Sequence, residues 1–117
     1  MNMNTATFPI TTYATAGEAM IARRLIRICL ADGYTISVND GEEWTVRRSN
    51  DFNTIIGALC TTGQDFVRAF NPKDQTSPGT FDLVWGNDPT GAELISDHTY
   101  NEVCNSIYKD TMKVVRN

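Results

Sequence analysis

Between Tyr34 and Arg47 the chain alternates apolar and polar residues on both sides of Asp40-Gly41, and this pattern constrains the fold more than any other. Tyr34, Ile36 and Val38 alternate with Thr35 and Ser37, and Trp44 and Val46 alternate with Thr45 and Arg47. A period of two on either side of a turn dipeptide predicts a β-hairpin with one buried face. A two-residue Asp40-Gly41 loop would set Ile36 opposite Thr45 and mix the faces. An odd-length connection, or a bulge, sets Val38 opposite Trp44 and Ile36 opposite Val46, and that register is the one expected.

Helical periodicity brackets the hairpin. Thr15-Ala16-Gly17-Glu18 matches a capping box, and Ile21, Leu25 and Ile28 follow at helical spacing with Ala22 and Cys29 beside them. Arg23, Arg24 and Arg27 fall on the opposite side, and Gly33 supplies a left-handed stop. Ser49-Asn50-Asp51 introduces a short second helix with Phe52, Ile55, Ile56 and Leu59 on one side. Phe66 to Phe70 and Phe81 to Trp85 alternate as strands, separated by a polar loop over Asn71 to Gly79. A short strand is expected over Glu93 to Ser96, and Thr99-Tyr100-Asn101-Glu102 repeats the capping-box pattern ahead of a third helix.

The resulting order, α-β-β-α-β-β-β-α, predicts an α+β domain: an antiparallel sheet of four to five strands with about three helices on one face. One domain is expected over residues 15–117, preceded by a flexible N-terminal arm over residues 1–14 that holds at most an edge strand around Phe8-Pro9-Ile10. With 41% hydrophobic and 21% charged residues the chain has ordinary globular usage, which disfavours disorder. Its longest apolar run, Leu25 to Ala31, is broken by Arg27 and is too short for a membrane span. Met1 to Thr12 has neither the basic start nor the apolar core of a signal peptide, so a cytoplasmic protein is expected. Cys29, Cys60 and Cys104, widely spaced within stretches read as helical, are expected as reduced core residues.

Charge is distributed unevenly. Arg23, Arg24, Arg27, Arg47 and Arg48 are five of the ten cationic residues, whereas residues 74–108 hold six acids (Asp74, Asp82, Asp88, Glu93, Asp97, Glu102) and neither Lys nor Arg. The arginines are the main recognition candidates, because guanidinium forks suit phosphates and carboxylates. No aromatic residues are expected to interleave with them on one face, and a net charge of −4 opposes a protein built mainly to hold nucleic acid. The acidic stretch, with Asp82, Asp88 and Glu93, reads as a solvated sheet edge or a second docking surface rather than a thin imitation of a phosphate track.

Catalytic signals are sparse. A single histidine, His98, rules out a multi-histidine metal site, and neither CxxC, HExxH nor a phosphate-binding glycine motif occurs. Asp97, His98 and Cys104 carry the residue types of a cysteine nucleophile with its base, but their positions read as strand end and helix core. Asp40, Glu42 and Glu43 lack the spacing of a calcium loop and read as a solvated tip. No metal or cofactor is expected.

In order, Ala22-Arg23-Arg24-Leu25-Ile26-Arg27, the hairpin Ile36 to Val46, Trp85-Gly86-Asn87-Asp88 and Ile95-Ser96-Asp97-His98-Thr99 give the chain, over residues 15–103, a resemblance to small uncharacterised accessory proteins of bacteriophages and mobile elements. The resemblance carries no catalytic residues. It implies a non-enzymatic protein in the bacterial host cytoplasm that binds and inhibits a host protein, including components of CRISPR or restriction immunity. Trp44, Tyr34 or Tyr100 would serve as an aromatic anchor. The alternatives are a small nucleic-acid-associated regulator using the five arginines and a cryptic enzyme using Cys104 and His98. The oligomeric state is left open by the sequence.

Overall fold

The computed structural model describes residues 14–115 and shows the expected α+β architecture. Its elements are α1 (Ala16–Ala31), β1 (Thr35–Asn39), β2 (Trp44–Ser49), α2 (Phe52–Gly57), β3 (Gln64–Asn71), β4 (Thr76–Val84), β5 (Ile95–His98) and α3 (Glu102–Met112). The strands form one antiparallel sheet in the order β2-β1-β3-β4-β5. The arm expected over residues 1–14 lies outside the described residues except for Ala14, which packs against the core.

The capping box forms as its spacing predicts. The Thr15 hydroxyl accepts from the Glu18 amide at 3.1 Å, and the Glu18 carboxylate accepts from the Thr15 amide at 2.9 Å. The helix closes at Gly33, with φ of 93°, whose amide donates to the Leu30 carbonyl while the Tyr34 amide donates to that of Cys29. This paired closure is the left-handed stop that glycine permits without a Cβ penalty. Ile21, Ala22, Leu25, Ile26 and Cys29 are buried, and Ile28 lies half-exposed at the rim.

The inner sheet face supplies Ile36, Val38, Val67, Ala69, Phe81 and Leu83, which pack with helix residues Ile55, Ile56, Cys104 and Ile107 into one core. The alternation that placed them inward places Ser37, Phe66, Arg68, Phe70, Thr80 and Asp82 on the other face. All three helices lie on the inner side, so no described element covers the outer face.

Several local expectations are corrected. Cys60 lies beyond the end of α2, with φ of 62°, rather than in a helix. The third helix is capped by Asn101, whose Oδ1 accepts from the Cys104 amide at 2.8 Å; the Thr99 hydroxyl instead accepts from the Thr80 amide. The last strand begins at Ile95 rather than Glu93, because Asp88 draws the Glu93 amide into the preceding loop. The polar stretch over residues 71–79 is mostly strand, with β3 and β4 running on to a tight turn. Pro78 fits because the register shift between Ala69/Gly79 and Asn71/Thr76 places it in an irregularity, where its missing N–H costs the ladder little.

The loop after β4 is held to the start of α1 by Glu18. Its fully buried carboxylate accepts from the amides of Gly86, Asn87 and Asp88 at 2.8, 3.0 and 3.1 Å, in addition to that of Thr15. Burial alone would raise its pKa, but these four backbone donors outweigh that and hold it below the usual glutamate value. Beside it, a Cβ at Gly17 would lie 2.2 Å from the Pro89 carbonyl oxygen, and one at Gly91 would lie 2.4 Å from that of Gly17. Helix and loop therefore meet backbone to backbone.

Candidate basic–aromatic site on the open sheet face

The hairpin register sets the site. Val38 faces Val46, not Trp44, and Trp44 faces Asn39. Between these pairs β2 advances two residues for one on β1, so Trp44 and Val46 leave on opposite faces: Val46 packs against the core and Trp44 points outward. The expected pairing of Val38 with Trp44 and Ile36 with Val46 fails because the chain uses two irregularities rather than one. The second spans Arg47 and Arg48, where β2 advances three residues from Val46 to Ser49 against two from Val38 to Ile36.

That bulge directs two consecutive arginines to one concavity. Arg48 adopts φ of 48°, a left-handed conformation uncommon for a residue with a Cβ, and its amide donates to the Ser37 hydroxyl at 2.9 Å. Its guanidinium lies 3.9 Å from the centre of the Phe70 ring on β3, close enough for a cation–π contact. Arg68, two residues before Phe70 and on the same face, donates from Nε to the Ser77 hydroxyl at 3.2 Å. With Trp44, Arg47, Ser37 and Gln75 these side chains line a hollow of about 580 Å³. Among the described residues the one ion pair is Lys113–Asp110 at 3.0 Å, so the three arginines converge with no carboxylate beside them.

The five arginines grouped by sequence do not form one patch. Arg24 is half-buried and donates to the carbonyls of Asp110 and Thr111, closing the exposed end of α3. Arg27 lies 4.7 Å from the centre of the Phe52 ring in the helical layer. Arg23 is on the same helix, and only Arg47 and Arg48 reach the open face, where Arg68 joins them. The expectation that no aromatic side chains interleave with the arginines is therefore corrected by Trp44 and Phe70. The sequence signal for Arg68 and Phe70 was present in the alternation of β3; what concealed their meeting with Arg47 was the bulge.

The acids also divide. Asp82 faces Asp97 across β4 and β5, in a shallower hollow of about 260 Å³ that also includes Phe66 and Thr80. Asp82 accepts from the Gln64 side chain at 2.7 Å. Asp88 is committed to its own loop, where it accepts from Thr90 and from the Glu93 amide, and these bonds hold its pKa below the ordinary value. Glu93 is exposed on that loop. The open face is thus bipolar, basic across β1 to β3 and acidic across β4 and β5. Tyr34 packs against the core, whereas Tyr100 is 89% exposed beside β5.

Asp97, His98 and Cys104 do not assemble into a nucleophilic centre. The His98 ring stacks on Tyr108 with centroids 4.7 Å apart, and its Nδ1 lies 3.0 Å from the Thr99 carbonyl oxygen. Asp97 accepts from the His98 backbone amide, not from the ring. The Cys104 thiol faces the Pro78 carbonyl, and burial raises its pKa, which opposes thiolate formation. Among the described residues no cluster of His, Cys, Asp or Glu is arranged to hold a metal ion. No family model, curated protein or solved structure matches the chain.

The left-handed conformation of Arg48 makes its structural contribution testable. Replacing it with glycine relieves left-handed strain of about 1 kcal/mol and removes a cation–π contact of similar size, so Arg48→Gly is expected to leave stability within about 1 kcal/mol of wild type. Urea denaturation measures this directly, and a larger loss would make Arg48 a structural residue.

Proposed function

We propose that the chain is a non-enzymatic accessory protein of the bacteriophage type that acts in the bacterial cell by docking its open sheet face on a host protein and blocking it. A component of CRISPR or restriction immunity is the target class that the sequence resemblance implies. The observation that carries the reading is the bipolar face: Arg47, Arg48 and Arg68 gather around Trp44 and Phe70 without counter-charges, and Asp82 and Asp97 stand on the same surface. Complementary charge of both signs selects a protein partner and speeds encounter, while a partly exposed aromatic side chain supplies local affinity. A nucleic-acid regulator is favoured less, since a uniformly anionic strand crossing this face would meet Asp82 and Asp97.

Affinity capture from bacterial lysate, with and without nuclease, tests the reading. The wild-type chain should retain a stoichiometric protein after nuclease treatment, and the combined Arg47→Ala, Arg48→Ala and Arg68→Ala variant should lose it. Recovery of nucleic acid alone, or a partner released by nuclease, overturns the proposal.

A further inference from the structure

We infer that the hollow bounded by Trp44, Arg47, Arg48, Arg68 and Phe70 seats an acidic, extended segment of the partner, with carboxylates on the guanidiniums and one apolar side chain against the Trp44 indole. The inference rests on the docking function proposed above and gives the partner its chemistry.

Three observations converge on an anionic occupant. The arginines come from two separate strands, and those of β2 reach the hollow through a bulge that keeps Arg48 in a left-handed conformation. Bulges re-aim side chains, and a strained non-glycine residue persists where its surroundings hold it there. The guanidiniums find only neutral partners among the described residues: the Ser77 hydroxyl for Arg68 and the Phe70 ring for Arg48. Their mutual repulsion is relieved when carboxylates enter, and the planar fork of each arginine matches a carboxylate in two parallel hydrogen bonds. The hollow, at about 580 Å³, has the size of a site for a few side chains rather than for a large folded surface.

The rest of the face decides between carboxylate and phosphate. A nucleic-acid strand carries a negative charge at every nucleotide, so leaving the hollow toward β4 and β5 would bring it onto the facing Asp82 and Asp97. A polypeptide can be acidic over the arginines and neutral or basic beyond them. The net charge of −4 adds no long-range attraction for a polyanion. The segment lies across the face instead of extending the sheet, because the two irregularities of β2 interrupt the ladder that an added strand would need.

Amide chemical shifts of the isotopically labelled protein test this with two defined probes: a short peptide of Glu and Asp around one central Phe, and a thymidine oligonucleotide of equal length. The peptide should shift Ser37, Arg48 and Phe70, with an affinity at least about tenfold lower in the variant with Arg47, Arg48 and Arg68 all changed to alanine. Peptide shifts that survive the triple substitution, or stronger effects from the oligonucleotide at the same residues, overturn the inference. Absence of peptide binding also overturns it, and if lysate capture remains arginine-dependent the docking function itself still stands. Peptide binding with lysate capture unaffected by the substitutions supports the site and removes the docking function.

Discussion

Glu18→Gln is expected to destabilise the protein by about 3 kcal/mol, because one uncharged amide replaces a buried carboxylate that accepts four backbone hydrogen bonds. The glutamine oxygen can serve only one pair of donors, and its NH₂ group then points at the other. Gly86, Asn87 and Asp88 belong to a loop far along the chain, so the effect should appear as loosening of that loop as well as fraying of α1. Urea denaturation with an unchanged slope and a lowered midpoint is the expected record. A loss below about 1 kcal/mol would show that water replaces the carboxylate in this role. The same group gives stability a pH dependence. Its folded pKa is lowered, so its contribution is fully present above the ordinary glutamate value and is lost as pH falls through the lowered one. Glu18→Gln should remove that part of the acid sensitivity.

Gly17→Ala should reverse the usual sign of a helical glycine substitution. Within a helix, alanine is ordinarily favoured over glycine by about 1 kcal/mol. Here the added methyl would stand 2.2 Å from the Pro89 oxygen and 2.4 Å from the Thr90 carbonyl carbon, both backbone atoms of the loop that Glu18 holds down. The loop must shift or the helix start must lift, and a loss of about 3 kcal/mol or more is expected. Gly57→Ala provides the control: it lies at the end of α2 with nothing within 4 Å of the added carbon, and it should be neutral or stabilising. Thermal denaturation of the two variants side by side decides the matter, and similar midpoints would show that the helix–loop approach relaxes freely.

These two residues mark where sequence reasoning stopped. The capping box identified Glu18 as the reciprocal partner of Thr15, since that bond spans three residues. Its three further donors arrive from residues 86–88, and no local pattern encodes their approach. Gly17 lies in the same capping box, and no local pattern shows that the backbone of Pro89 and Thr90 comes against it. The antiparallel sheet, expected with four to five strands, was legible because alternation in Ile36–Val38, Phe66–Phe70 and Phe81–Val84 is enforced by burial on one side. The register of β2 was not, because Trp44 and Val46 are both apolar and nothing in their spacing shows that Thr45 is an extra residue between them. Arg47 and Arg48 were visible as recognition candidates, yet their joining with Arg68 and Phe70 depends on that register. Arg24, which the sequence groups with the recognition candidates, closes the end of α3 with its guanidinium, a role fixed by tertiary contact alone.

The uncovered face has a consequence for how the protein can change. Along β3, Val67 and Ala69 face the core while Arg68 and Phe70 face outward, so folding and the proposed docking chemistry sit on alternating residues of one strand. Randomising Arg47, Arg68, Gln75 and Thr80 would vary the contact surface without touching a core side chain. A library built on those positions should therefore remain largely folded while its members diverge in what they hold, making the sheet a ready scaffold for new specificities.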